Sequence, residues 1–208
     1  MTKTHTGYAL LACAALFGMS LSNTASAADV AKLVETCFSC HGKDGASTET
    51  DVPSIASYSD KYLGDTLDKY QKKERPCVET EIRSGSNKGS KTDMCKIAKD
   101  LSEKDIEQIA EYFAGQTFVR TPQKFDAELA KKGKAIHKNK CENCHGESGT
   151  LPGDHAGILG GQKVDYLREQ IKLFKEGKRP MSKKMKPKLE ALSDEEIEAV
   201  INYYGSIQ

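Results

Sequence analysis

Two copies of a C-x-x-C-H motif constrain this chain more than any other sequence feature. They span Cys37–His41 and Cys141–His145, and glycine follows each of them. In c-type haem attachment, two thiols add across the two vinyl groups of one haem, and the adjacent histidine supplies the proximal nitrogen ligand of the iron. A redox C-x-x-C pair or half of a zinc site shows the same letters. Two copies in one chain favour haem, so the sequence predicts two covalently bound haem c groups.

Each motif assigns two thioethers and one iron ligand to its haem. The predicted haem-binding cysteines are Cys37, Cys40, Cys141 and Cys144. The predicted proximal ligands are His41 and His145. The chain has 208 residues, no Trp and only 7% aromatic residues, so two haems would supply apolar volume that its own side chains lack.

Residues 1–27 are typical of a secretory signal. Lys3 opens a short basic region, a largely apolar stretch runs over 8–21, and Ala25-Ser26-Ala27 is a small-x-small cleavage site. The apolar stretch is too short to span a bilayer, and it continues past Cys13, which favours cleavage over lipidation at that cysteine. We expect a mature chain of residues 28–208 in an oxidising compartment, the periplasm.

Charge and hydropathy exclude two classes of partner. The 31 basic residues are balanced by 30 acidic ones, so a footprint for nucleic acid is absent, and no run of 18 apolar residues predicts a membrane span. The balance is uneven along the chain: residues 28–120 hold 14 basic and 17 acidic side chains, and residues 121–208 hold 16 and 13. This difference favours an electron carrier with a charge dipole that orients it on its partner. Two solvated protein surfaces that happen to differ in charge would give the same counts.

The two motifs belong to an internal repeat. Their offset of 104 residues persists to Arg75-Pro76, which matches Arg179-Pro180. Farther along, the offset falls to 91, where Leu101-Ser102 matches Leu192-Ser193. The difference is a 13-residue insertion in the first half. The sequence thus predicts a tandem duplication.

The repeat predicts an all-α fold with domains over 28–120 and 121–208. Ser102 and Ser193 are predicted helix N-caps, because an acidic residue follows each by three positions. Apolar residues then recur at helical spacing, and no stretch alternates convincingly as a strand. Each half is expected to place a helix before the haem motif, a middle helix after it, then a Met-bearing loop and a final helix.

Methionines at matching positions are the predicted distal iron ligands. Met94 and Met185 share the offset of 91, and each precedes its N-cap serine by eight residues. A thioether ligand favours reduced iron and raises the potential. Met181 is the alternative for the second haem, and packing in a core is the ordinary role of methionine. His137, expected to be exposed on a helix, and His155 are less favoured ligands.

Cys77 and Cys95 flank the polar, turn-rich insertion. In an exported protein this arrangement predicts a disulfide beside Met94, which would stabilise the fold by about 3 kcal/mol through loop closure. A soft-metal site, for which copper is the best candidate, and a pair of free thiols are the alternatives.

The mature chain resembles the dihaem cytochromes c4 and, among them, the cytochrome subunit of flavocytochrome c sulfide dehydrogenase. The segments that carry the resemblance are Met94–Lys99, Phe125–Cys141 and Arg179–Met185. The resemblance implies two tandem class I cytochrome c domains, with two low-spin His/Met haems near a pseudo-two-fold interface. It also implies a flavoprotein partner that oxidises sulfide and passes electrons to this chain. The insertion departs from the family pattern near the first haem edge.

The predicted function is electron transfer without catalytic residues on this chain, because saturated His/Met ligation leaves no open iron position. A free cytochrome c4-type carrier that delivers electrons to a terminal oxidase is the alternative to a sulfide dehydrogenase subunit. A dihaem peroxidase would need an openable iron, and the chain is short for that class. A metal-handling or redox-sensing module would have to be built on Cys77 and Cys95.

Overall fold

The structure is a computed structural model, and it describes residues 1–2, 27–153 and 156–208. Most of the predicted signal and the candidate ligand His155 lie outside the described residues. Within these ranges, no helix is both long enough and apolar enough to cross a membrane.

The regular secondary structure of the described first half is α-helical apart from one short hairpin and a 3-10 turn over Lys43–Gly45. Its helices and strands are α1 (Ala27–His41), α2 (Asp60–Gln71), β1 (Thr80–Glu81), β2 (Lys91–Thr92), α3 (Met94–Ala98) and α4 (Glu103–Ala114). Helix α4 packs against both α1 and α2. The fully buried Phe113 of α4 lies in a core that also includes Val34 of α1 and Leu63 and Leu67 of α2.

The described second half repeats this arrangement without the hairpin. Its elements are α5 (Ala127–Lys140), the short turn α6 (Gly146–Gly149), α7 (Val164–Lys175), α8 (Lys186–Glu190) and α9 (Asp194–Gly205). A separate core joins Leu167 of α7, Leu189 of α8 and Ile201 of α9. The two halves therefore have one core each, and the all-α architecture predicted from the sequence is confirmed.

The final helix of each half begins at the predicted serine. Ser102 Oγ accepts a hydrogen bond from Asp105 N at 3.2 Å, and the Asp105 carboxylate accepts from Ser102 N at 2.9 Å. Ser193 and Glu196 form the same reciprocal pair at 2.9 and 3.2 Å. These capping boxes satisfy amide groups that the first helical turn leaves without partners.

The insertion forms an antiparallel hairpin rather than helix. Strand β1 pairs with β2 in the register Thr80 with Thr92 and Glu81 with Lys91. The ladder continues toward the tip, where Ile82 N donates to Ser90 O at 3.0 Å. Gly85 and Gly89 adopt φ angles of 79° and 85° there, a left-handed conformation that glycine adopts without steric cost.

Helices α5 and α9 cross closely at Gly133. A Cβ atom at this position would lie 2.0 Å from the carbonyl oxygen of Ala199 and 2.8 Å from Cβ of Tyr203. Only glycine permits this approach, which holds the helix before the second haem motif against the last helix of the chain.

We predict that Gly133→Ala destabilises the second half by at least the 1–3 kcal/mol typical of overpacking, because the blocking atom belongs to the backbone and cannot rotate away. Thermal unfolding of the holoprotein, followed by circular dichroism, measures the change. Gly64→Ala in α2 is the matched control, since its Cβ would meet Ile106 at an ordinary 3.9 Å. The control is expected to leave stability unchanged or raise it by about 0.5–1 kcal/mol; equal losses in both variants would contradict the prediction.

Candidate haem sites

The first haem motif lies in the last turns of α1. His41 is buried, and its Nδ1 lies 2.9 Å from the carbonyl oxygen of Pro53, which accepts the ring proton. This bond orients the imidazole and leaves Nε2 available for iron. Burial lowers the pKa of His41, so the ring is neutral at physiological pH, which is the form that binds metal. Gly42, at φ 74°, then turns the chain out of the helix.

The predicted distal ligand of the first haem packs against the core cluster of the first half, as one cysteine of its motif also does. Met94 is the first residue of α3 and packs, partly buried, against the same core cluster as Cys37. The helix is held at its start by Asp93, whose carboxylate accepts from Lys96 N at 2.9 Å. The structure thus brings Met94, Cys37 and His41 into one half, as the ligand prediction requires. Iron ligation by Met94 stays a prediction.

Next to Met94, Cys95 is bonded to Cys77 in a disulfide with a Cα–Cα separation of 5.4 Å. Asp93 lies beside the two sulfurs, so three groups of metal-binding type meet there. Because the disulfide uses both thiolates, the copper site considered from the sequence does not fit this arrangement. The disulfide instead closes the base of the hairpin beside the predicted distal ligand.

The second haem motif is built differently from the first. Helix α5 ends at Lys140, and Cys141–His145 forms a turn in which His145 N donates to Cys141 O at 2.9 Å. Cys144 is exposed. Burial, and then the nearby His137, lower the pKa of His145, so this imidazole is also neutral and suited to metal binding.

The expectation that His137 is exposed is wrong. Its side chain is only 1% exposed, because α5 turns it toward α9. There Nδ1 lies 2.9 Å from the Tyr204 hydroxyl, and Nε2 lies 2.5 Å from the Glu142 carboxylate. Both ring nitrogens are therefore engaged by protein, which argues against iron ligation by His137.

Two methionines remain candidates for the second haem. Met185 precedes α8, and both Met185 and Met181 pack, partly buried, against the second core cluster. Contacts alone do not separate them. Only Met185 matches Met94 in the repeat, so it remains our predicted ligand.

The two halves meet through a buried amide. Gln162 is fully buried; its Nε2 donates to Ser54 O at 2.8 Å, and its Oε1 accepts from Ser54 N at 3.0 Å. The same Nε2 donates to the Tyr58 hydroxyl at 2.8 Å, and Tyr58 donates to Ile158 O at 3.1 Å. At an offset of 104 residues, position 54 corresponds to 158 and position 58 to 162. Each half therefore uses one surface against the equivalent surface of the other, as in a two-fold interface.

A second symmetric contact is formed by the two repeat arginines. The guanidinium carbon of Arg75 lies 4.7 Å from the ring centroid of Tyr70, and that of Arg179 lies 4.3 Å from the ring centroid of Phe174. Arg75 donates to Gln170 Oε1 across the interface at 3.3 Å, and Arg179 donates to the same oxygen from within its own half at 2.6 Å. Burial alone would raise the pKa of Tyr62, but the two guanidinium groups bring it below its ordinary value.

These arginines fit the carboxylate groups of haem. Arg75 is 5% exposed, its Nε has no hydrogen-bond partner, and neither arginine forms an ion pair with any described residue. A buried cation without an acidic partner is costly, and a haem propionate would supply that partner. Sequence analysis found Arg75 and Arg179 at repeated positions but gave them no role. The repeated Arg-Pro pair was the signal that could have identified them as residues of the two haem sites.

The arrangement suits electron transfer. Bound haem supplies one-electron exchange between ferric and ferrous iron, and this chain supplies the thiols, two neutral imidazoles and the buried cation of Arg75. The proximal loop of the first site is continuous with the interface, since Pro53 accepts from His41 and the next residue, Ser54, pairs with Gln162.

We predict that Met94→Ala and Met185→Ala each remove about half of the methionine–iron charge-transfer absorbance of the oxidised holoprotein and lower the potential of one haem, because one of two thioether ligands is lost. Met181→Ala is the control and is expected to retain the full band. Visible spectroscopy and a redox titration measure both effects. If Met181→Ala loses the band and Met185→Ala keeps it, the choice of second ligand is wrong.

Two family models match successive parts of the chain. Residues 27–116 match the model described as cytochrome c, and residues 128–203 match the one described as cytochrome c oxidase, cbb3-type, subunit III. Each match contains one C-x-x-C-H motif.

Full-length relatives match across both halves. The chain is 30% identical to a cytochrome c4 of Stutzerimonas stutzeri, over 82% of this chain and 83% of the relative. It is 27% identical to a thiosulfate dehydrogenase electron acceptor of Stutzerimonas stutzeri strain A1501, over 93% of each chain. The crystal structure of reduced recombinant cytochrome c4 from Pseudomonas stutzeri superposes with a TM-score of 0.69 at 29% identity, covering 89% of this chain and all of that one. The chain therefore belongs to the cytochrome c4 family of dihaem electron-transfer proteins, and its cofactors are two covalently bound haem c groups.

Proposed function

We propose that this cytochrome is the haem subunit that accepts electrons from a flavoprotein sulfide dehydrogenase in the periplasm. The observation that carries the proposal is the likeness, over 93% of each chain, to a thiosulfate dehydrogenase electron acceptor, because that relative serves the oxidation of an inorganic sulfur compound. The resemblance of Arg179–Met185 to flavocytochrome c subunits narrows the donor to a flavoprotein that oxidises sulfide. The predicted signal over residues 1–27 supports the periplasm.

The electron count suits such a donor. A flavin that has been reduced by sulfide carries two electrons, and it returns to its oxidised form by releasing both. Two ferric haems accept one electron each and become ferrous. The buried contact of Gln162 with Ser54 and Tyr58 holds the two halves together, so one docked chain can take up both electrons.

A second candidate is a free carrier that delivers electrons to a terminal oxidase. It is favoured by the match of residues 128–203 to a subunit of cbb3-type oxidase. The two candidates differ in the donor and in whether a flavoprotein remains bound.

Stopped-flow mixing of oxidised holoprotein with sulfide and the flavoprotein tests the proposal. We predict that haem reduction is faster with the flavoprotein than with sulfide alone, that the amplitude corresponds to both haems, and that the two proteins co-elute in gel filtration. Flavoprotein without sulfide is the control. If the flavoprotein neither accelerates reduction nor co-elutes, the sulfide dehydrogenase proposal is wrong, and oxidation of the reduced chain by a cbb3-type oxidase becomes the function to measure.

A further inference from the structure

The hairpin of the insertion is bonded directly to the first haem motif. Ser39, between the two motif cysteines, accepts from Arg83 N at 2.9 Å and from Ser84 N at 3.0 Å. Its carbonyl lies in the last turn of α1, where the helix offers it no amide partner. The hairpin supplies those donors, which fixes its tip against the helix that carries Cys37 and Cys40.

Other contacts hold the hairpin over the same edge. The sulfur of Cys40 lies 3.9 Å from the carbonyl oxygen of Glu81 in β1. Arg83 donates to the Asp51 carboxylate at 2.6 Å, which ties the tip to the loop that ends at the His41 acceptor, Pro53. At the base, the Cys77–Cys95 disulfide lies beside Met94. The hairpin therefore runs from the disulfide beside the predicted ligand Met94 to Ser39 and Cys40 of the first motif, and it lies against the Cys40 side of that motif.

The second haem site has no such cover among the described residues. The repeat lacks the 13-residue insertion there, and Cys144, the counterpart of Cys40, is exposed. In the first half, the carboxylates of Glu79 and Glu81 are paired with Lys91 and that of Asp51 with Arg83, so the charges of the hairpin are largely paired with one another.

Exposed lysines are frequent in the segment that leads into the second motif and in the segment around Met185. Helix α5 leads directly into the second motif, and four of its exposed lysines form no ion pair with any described residue: Lys131, Lys132, Lys134 and Lys138. The segment around Met185 carries three more exposed lysines without a carboxylate partner: Lys183, Lys184 and Lys188. The one acidic side chain inside the motif, Glu142, is engaged by His137. The segment before the second motif and the segment around the predicted ligand Met185 therefore both present unpaired positive charge.

We propose that redox partners exchange electrons with this cytochrome at the Cys144 edge of the second haem, by docking an acidic surface on these lysines, and that the hairpin prevents docking at the first haem. The first haem then exchanges electrons through the second. The inference deepens the proposed function by naming its docking surface, and it rests on that function only for the existence of a protein partner. A partner that binds the hairpin instead is the competing outcome.

The test uses inorganic oxidants, so its result does not depend on any flavoprotein. Each ferricyanide ion takes one electron from a ferrous haem and becomes ferrocyanide. In stopped flow at low ionic strength, Lys134→Glu/Lys138→Glu is expected to slow ferricyanide oxidation of the reduced holoprotein about tenfold, and added salt is expected to remove the difference.

The matched control is Lys69→Glu/Lys73→Glu, two exposed lysines of the first half with the same spacing and no ion pair among the described residues. We expect it to change the rate less than twofold. Equal slowing in both pairs, or slowing in neither, overturns the proposal. An unchanged haem spectrum in each variant shows that folding is intact.

Nuclear magnetic resonance locates the docking site without any substitution. Hexacyanochromate(III), a paramagnetic anion, is expected to broaden haem methyl signals of the second haem and to leave those of the first sharp.

Arg83→Ala/Ser84→Pro removes the Asp51 ion pair and one amide donor to Ser39. In this variant the first-haem signals are expected to broaden as well. Broadening of both haems in the unaltered protein overturns the proposal.

Discussion

The buried amide of Gln162 is the contact on which the arrangement of the two haem sites depends. Its side-chain oxygen accepts from the N–H of Ser54, and its side-chain nitrogen donates to the carbonyl oxygen of Ser54. The same nitrogen also donates to the Tyr58 hydroxyl. A buried amide is stable only when its donors and acceptors are satisfied, so this geometry tolerates little sliding of one half over the other. Because Ser54 follows Pro53, which holds His41, the same contact fixes the proximal loop of the first site.

The duplication makes the sites equivalent, and later changes make them different. The capping boxes, the arginine contacts and the interface all recur at matched positions. Within the described ranges the hairpin occurs only in the first half, and α1 includes its haem motif whereas α5 ends before its own. A cytochrome with two equivalent sites would offer redox partners two docking surfaces. We infer that the hairpin over the first site and the unpaired lysines of α5 leave this cytochrome with one docking surface, at the second haem.

Much of the fold was predictable because it depends on local or repeated signals. Ser102 and Ser193 identified two helix starts, and the 104- and 91-residue offsets predicted the order of elements in each half. The hairpin was not predicted, since its strands are two residues long and are stabilised by the distant Ser39. The burial of His137 depends on Gly133, which brings α5 against α9, and a helical pattern alone does not reveal that partner.

We infer that the two haems form one electron-transfer unit across the Gln162 interface. Flash photoreduction with less than one electron per holoprotein molecule tests this inference, with absorbance followed at wavelengths where the two haems differ. Electrons are expected to redistribute between the haems at a rate that does not change with protein concentration. A rate that rises in proportion to protein concentration would mean that electrons pass between molecules, and the two haems would then not form one unit.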